Sequence, residues 1–206
     1  NAPTGQLAQK PLEKDVKFAQ AKRPEPAQKT RVNTQWGHIE FTTDGAAVSR
    51  LVFLRKTNGK EYSLATIYPP QTDAKADFAF LLALNQETPF YYQLVDQQEN
   101  ETSHTITYQA TTNSSSISKQ YVVYKDKNQM DVNISINPLN NVSMQPRIIF
   151  PAPFLPELKN ENNSALDVID GSDSFSKIYK DSIKADDGWI KSFVFGLENK
   201  YFMHAF

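Results

Sequence analysis

The sequence has no cysteine and only 7 glycines among its 206 residues. The missing cysteine excludes disulfides, thiolate nucleophiles and zinc–thiolate sites. It leaves the cellular compartment open, since both cytosolic and periplasmic proteins can lack cysteine. Seven glycines are few for a chain with many turns, so asparagine and aspartate must form several of them.

An excess of basic charge is also missing. The formal net charge is −1 and the isoelectric point is about 6.4, which argues against nucleic acid as a partner because no surplus of cations neutralises phosphates. No apolar run reaches the ~18 residues of a membrane-spanning helix. Hydrophobic residues make up 39% of the chain, enough for a core. Because the chain starts at Asn1, we expect a processed form or a fragment of a longer protein.

Residues 119–137 carry the clearest pattern in the chain. Over residues 130–137 four apolar residues alternate with four polar ones, in the order Met130, Asp131, Val132, Asn133, Ile134, Ser135, Ile136 and Asn137. A period of two places the apolar side chains on one face of a strand. Residues 121–124 form a β-branched and aromatic run, and polar residues 125–129 suit a turn. The pattern predicts an antiparallel hairpin with Met130, Val132, Ile134 and Ile136 buried beneath a covering sheet.

Other short strand patterns recur along the chain, separated by turn signals such as Asp44-Gly45 and Asn58-Gly59. They cover residues 39–43, 48–54, 62–68, 91–95, 104–110, 147–150, 166–169, 176–179 and 189–195. Residues 78–84 are apolar throughout and suit either a buried strand or a short buried helix. This spacing predicts an all-β sandwich.

The first 31 residues differ in composition from the rest. They are rich in Ala, Pro, Gln and Lys, which is typical of a flexible tether. Leu12, Val16 and Phe18 can share one side of a short helix within it, and a disordered tail without a role is the alternative. We therefore predict a tether over residues 1–31 and, over residues 32–206, a folded domain that is incomplete at its C-terminus.

No motif of known chemistry stands out. His38, His104 and His204 are far apart in sequence and have no ligand spacing, so we expect no metal, cofactor or catalytic residue. The acidic stretches at residues 170–173 and 186–188 lack the ligand pattern of a calcium loop and suit turns. Five N-x-S/T sequons, the acceptor motif for N-glycosylation, occur at Asn100, Asn113, Asn133, Asn141 and Asn162. Such matches are expected by chance in a chain rich in Asn, Ser and Thr.

Three segments resemble a known family. Residues 39–51, with the Asp44-Gly45-Ala46 turn, resemble the strand–turn–strand opening of the large periplasmic domain of the bacterial YidC membrane protein insertase. Residues 119–123 and 130–137 resemble that family's K-x-F/Y strand and its Val/Asn-alternating partner. Gly188-Trp189-Ile190, followed by Lys200-Tyr201-Phe202, looks like its Gly-Trp and Tyr-Phe motif with a longer spacing.

The resemblance carries expectations about fold and function. It implies an antiparallel β-supersandwich, similar to sugar mutarotases, with structural roles for Gly45, Gly188, Trp189, Tyr201 and Phe202. The domain would be a non-enzymatic accessory part at the periplasmic face of the bacterial inner membrane. It would belong to a multi-pass protein that helps insert and fold membrane proteins, alone or with the Sec translocon. Its membrane core, which would follow Phe206, would contact nascent membrane proteins.

The resemblance also suggests where a partner binds. Phe175, Ile178 and Tyr179 lie among polar residues in a region that departs from simple alternation, and interface anchors are often aromatic. In the insertase family the corresponding region is linked to the SecD–SecF subunits. The alternative is that these three side chains fill the sandwich core.

Two other functions remain open from the sequence. One is a mutarotase-like domain that acts on or binds carbohydrate, which would need a histidine and a carboxylate as acid and base. The region where such enzymes carry that histidine, residues 148–155, has none. The other is an extracellular adhesion sandwich, suggested by the sequons.

Overall fold

The computed structural model describes residues 26–57, 60–66, 78–84, 88–139, 144, 146–149, 165–169, 175–179, 194–198 and 203–205. Within these ranges the regular elements are all β-strands. They are β1 Lys29–Asn33, β2 Gly37–Thr42, β3 Ala47–Thr57, β4 Lys60–Thr66, β5 Leu81–Ala83, β6 Gln93–Glu99, β7 Ser103–Thr111, β8 Ser115–Tyr124, β9 Met130–Pro138, β10 Arg147–Ile149, β11 Ala165–Ile169, β12 Phe175–Tyr179, β13 Val194–Glu198 and β14 Met203–Ala205. The predicted all-β class is confirmed.

The strands form four sheets with antiparallel pairing wherever the register is defined. Their strand orders are β1-β2-β3-β4, β6-β7-β8-β9, β10-β5 and β12-β11-β13-β14. The chain divides into two compact units, one made of Asn1–Ser49 with Phe78–Phe150 and the other of Arg50–Asp77 with Pro151–Phe206. The supersandwich arrangement remains a prediction.

The predicted hairpin is present as β8 and β9. The two strands pair without a register shift from Ser115 opposite Pro138 to Val123 opposite Met130, and residues 125–129 connect them. The alternation of β9 is also confirmed, because Asn133, Ser135 and Asn137 are exposed.

The predicted full burial of Met130, Val132, Ile134 and Ile136 is wrong, since all four side chains are half-buried. The reason is that β9 forms the edge of its sheet. The completely buried residues on this face of the sheet belong instead to the central strand β8. They are Ile117, Lys119, Tyr121 and Val123.

A second layer covers this face of β8. Val32, Ile39 and Phe41 on β1 and β2 are buried, and the rings of Phe41 and Tyr121 lie 4.8 Å apart. At one end the indole nitrogen of Trp36 donates to the carbonyl oxygen of Tyr124 at 3.0 Å. The two sheets thus enclose an aromatic and aliphatic core in a sandwich-like arrangement.

Several boundaries differ from the sequence prediction. Strand β1 begins at Lys29, so Lys29–Arg31 belong to a strand rather than to the tether. The apolar residues 78–84 contain the three-residue strand β5, which pairs with β10. The rest of the tether up to residue 25 and the Asn58-Gly59 turn lie outside the described residues. In the described ranges no helix has the length and hydropathy needed to cross a bilayer.

Candidate functional site

The tight turn between β2 and β3 has an unusual backbone. Gly45 has φ of 69° and the next residue, Ala46, has φ of 43°. Phe80, just before β5, has φ of 65°. Among the described residues these three alone have left-handed φ angles, a region that costs residues with a Cβ about 1–2 kcal/mol each. Some interaction must hold Ala46 and Phe80 there.

That interaction comes from Lys119 on β8. Its side chain is completely buried, and its ammonium donates to the carbonyl oxygens of Gly45 at 2.9 Å and Ala46 at 2.8 Å and to that of Phe80. The three acceptors belong to the same three left-handed residues. We call Lys119 and these three carbonyls the lysine node.

Aromatic residues surround the lysine node. The hydroxyl of Tyr121 donates to the carbonyl oxygen of Ala46 at 2.6 Å. The Lys119 nitrogen lies 5.8 Å from the ring centre of Tyr92 and 5.6 Å from that of Tyr121, within the range of cation–π attraction. The Tyr92 hydroxyl is buried, and no described residue accepts or donates a hydrogen bond there.

Burial changes the proton affinities in this core. It lowers the pKa of Lys119 to about 7, while the three carbonyl acceptors favour the charged amine and act in the opposite direction. Burial raises the pKa of Tyr92, and it raises the pKa of Tyr121 well above the ordinary value, with Tyr108 and Tyr92 adding to the effect. The tyrosines therefore stay neutral at physiological pH.

The geometry favours an anchoring role for Lys119 over a catalytic one. A nucleophilic amine needs a route to its substrate and a free lone pair, whereas this amine is enclosed and its three N–H groups each have an acceptor. It binds the β2–β3 turn and the segment before β5 to strand β8. The lysine node is therefore a structural centre.

Sequence reasoning missed this residue although a signal was present. Lys119 occupies the same alternating positions as Ile117, Tyr121 and Val123, all of which are buried. A charged residue in phase with the apolar face of a strand indicates either a register error or a buried ion with dedicated partners. The acceptors are 39 to 74 positions away from Lys119, and sequence spacing gives no hint of them.

The histidines lie at different places in the fold. His38 is buried on β2, and His204 lies on β14. His104 on β7 has its Nδ1 atom 3.7 Å from a carboxylate oxygen of Glu99, whose other oxygen accepts from Lys125 at 2.6 Å. The hydrogen bond from Lys125 and then the charge of His104 lower the pKa of Glu99. No group of three metal-binding side chains occurs within the described ranges.

The predicted partner patch falls on a regular strand. Phe175, Ile178 and Tyr179 belong to β12, which pairs only with β11 among the described strands and forms a sheet edge. The strand predicted over residues 176–179 is thus present and begins one residue earlier. Strand geometry assigns positions 175 and 179 to one face and position 178 to the other. Partner binding by these residues remains a prediction.

The other motif residues divide into two groups. Gly45 lies in the left-handed turn of the lysine node, which gives its predicted structural role a physical basis. The remaining four, Gly188, Trp189, Tyr201 and Phe202, lie outside the described residues.

Comparison with known proteins does not assign the chain to a family. No protein-family model matches it, and no curated protein is significantly similar to it.

Proposed function

We propose that this chain is an accessory interaction domain of a membrane protein insertase similar to YidC, located at the periplasmic face of the bacterial inner membrane. Its role would be to bind a partner such as the SecD–SecF subunits while the membrane core handles nascent chains. The all-β antiparallel architecture is consistent with this proposal.

One contact in the structure supports the proposal more specifically than the all-β architecture does. Two segments resemble the insertase family separately, residues 39–51 and the hairpin that begins at Lys119. The Lys119 amine donates to Gly45 and Ala46, the turn residues of the first segment. These acceptors are backbone carbonyl oxygens of a turn with left-handed φ angles. The contact therefore joins the two segments into one structural unit, and the two resemblances support one another.

The partner strand can be tested in the full-length protein. We expect Tyr179→Ala and Phe175→Ala each to reduce recovery of the SecD–SecF subunits about tenfold, as aromatic interface anchors do when truncated. Ser176→Ala, at a position on the other face of β12, is the matched control and should leave recovery unchanged. Co-purification from membranes, quantified against the insertase, measures the effect.

Both alternative outcomes of that experiment are informative. Loss of folding in the Tyr179→Ala and Phe175→Ala variants, seen as proteolysis of this domain, would favour the core interpretation. Normal folding with undiminished SecD–SecF recovery would remove β12 from the interface.

A carbohydrate function has one observation in its favour. His104 and Glu99 place an imidazole 3.7 Å from a carboxylate, the pair of groups that sugar mutarotation uses as acid and base. Lys125 also engages Glu99, with a 2.6 Å hydrogen bond, as expected for a surface ion pair.

We expect the domain not to accelerate anomer interconversion in a panel of aldoses followed by NMR. His104→Ala and His38→Ala variants are the controls. A clear acceleration that disappears in the His104→Ala variant would favour the carbohydrate function over the insertase proposal.

A further inference from the structure

The β6-β7-β8-β9 sheet has two edge strands of contrasting character. Strand β6 pairs with β7 through a register shift between Leu94 and Asp96, and five of its seven residues are polar or charged. A bulge and charges are common protections of a sheet edge. Strand β9 pairs with β8 over nine consecutive residues without a shift, and Asp131 is its only charged residue. The β9 edge therefore has no bulge and carries a single charge.

The backbone groups at this edge can be assigned to particular residues. Tyr124 donates to Gln129 at 3.2 Å and Leu139 donates to Ser114 at 2.9 Å, at the two ends of the β8–β9 ladder. Opposed residues in an antiparallel ladder alternate between hydrogen-bonded and non-hydrogen-bonded pairs. Both end bonds predict the same set of hydrogen-bonded residues along β9. Asp131, Asn133, Ser135 and Asn137 direct their backbone groups towards β8.

The intervening residues direct their N–H and C=O groups away from β8. These are Val132, Ile134 and Ile136, and none of the described strands pairs with that side of β9. The same three residues carry half-buried apolar side chains. Among the described residues, this edge therefore combines backbone groups that pair with no strand and an incompletely covered apolar stripe.

We propose that β9 pairs with β9 of a second copy of this chain, antiparallel about a two-fold axis at Ile134. In this register Ile134 opposes itself and Val132 opposes Ile136 of the second copy. All three outward-facing residues then form hydrogen-bonded pairs, each exchanging two bonds. Pro138 has no N–H and marks the end of the paired stretch.

The side chains match in the same register. On one face Val132 meets Ile136 of the second copy, Ile134 meets itself, and Met130 meets Pro138. On the other face Asp131 meets Asn137, and Asn133 meets Ser135. No like charges oppose each other, and every apolar residue meets an apolar one, which is the self-complementarity that a two-fold interface requires. This inference does not depend on the insertase proposal.

The absence of cysteine makes the register testable by single-cysteine cross-linking. In a hydrogen-bonded pair the two Cα atoms of residue 134 would lie about 5.5 Å apart, within disulfide range. The two residues 136 would be offset by four positions, about 14 Å along the strand. Under mild oxidation Ile134→Cys should form a covalent dimer, whereas Ile136→Cys, the matched control on the same face, should not.

Sedimentation of the unmodified chain over a range of concentrations supplies the second measurement. It should show a reversible monomer–dimer equilibrium. Ile134→Pro removes an N–H that faces away from β8, so it should shift this equilibrium to monomer while leaving the fold intact. Val95→Cys, on the protected strand β6 and 46% exposed, measures cross-linking by random collision.

Two results would overturn the proposal. One is a strictly monomeric unmodified chain at every concentration. The other is cross-linking of Ile134→Cys no faster than that of Ile136→Cys or Val95→Cys.

Discussion

Replacing Gly45 with alanine is expected to lower the free energy of unfolding by about 2–5 kcal/mol. The φ angle of 69° costs an alanine about 1–2 kcal/mol. A Cβ at this position would also overlap the Cδ2 methyl of Leu81, which is 3% exposed and packed in the core. Overpacking of this kind costs about 1–3 kcal/mol.

A double-mutant cycle separates the two causes. Leu81→Ala alone should cost about 2–5 kcal/mol as a cavity, but it removes the methyl group that an alanine at position 45 would meet. Chemical denaturation of both single variants and the double variant should therefore show a combined loss smaller than the sum, by about 1 kcal/mol or more. Strict additivity would mean that the backbone angle alone accounts for the Gly45→Ala loss.

The local parts of this fold follow from the sequence. The alternation over residues 130–137 defines β9 and its faces, and the Asp44-Gly45 dipeptide marks the turn between β2 and β3. Each depends on residues within one strand or one turn, where side-chain period and backbone preference act directly. Most strand positions were predictable for that reason.

The depth of burial could not be predicted in the same way. The period of two gives the face of a strand but not whether that strand lies at the centre or the edge of its sheet. Strand β9 carries the cleaner pattern, yet its apolar residues are half-buried, while the central strand β8 contains the fully buried residues. Neighbouring strands determine burial, and pairings such as β5 with β10 join residues more than 60 positions apart.

The lysine node shows a second limit. Ala46 and Phe80 have no intrinsic preference for left-handed φ, so nothing in their local sequence predicts it. Their conformation is favoured by a cation supplied from β8. Lysine is usually exposed, so a sequence analysis places Lys119 on the surface. Its position in the strand, in step with the apolar residues Ile117 and Tyr121, indicated burial instead.

Replacing Lys119 with methionine, which keeps the length of the side chain, is expected to destabilise the protein by about 2 kcal/mol at pH 7. Three carbonyl oxygens would each lose a hydrogen bond to a charged donor, worth about 1.5–3 kcal/mol apiece. Burial opposes part of this loss, because removal from water disfavours the charged amine and lowers the pKa of Lys119.

The matched control is Lys125→Met. Lys125 also donates two hydrogen bonds, to Glu99 and to the carbonyl oxygen of Asn100, each at 2.6 Å. These bonds lie at an exposed end of the sheet, where solvent screens the charges. The same substitution there should have a much smaller effect on the free energy of unfolding.

The loss in the Lys119→Met variant should grow with pH. The unfolded chain holds the Lys119 proton up to pH 10.5, whereas the folded chain releases it at about 7. Between these values the unfolded state binds more protons, so the stability of the unmodified protein rises with pH, by at most about 1.4 kcal/mol per unit. The methionine variant lacks this contribution. Urea denaturation of both proteins between pH 6 and pH 9 should therefore show a widening gap. A constant gap would mean that the carbonyl acceptors keep the pKa of Lys119 near its ordinary value, and a more stable variant would mean that desolvation outweighs the hydrogen bonds.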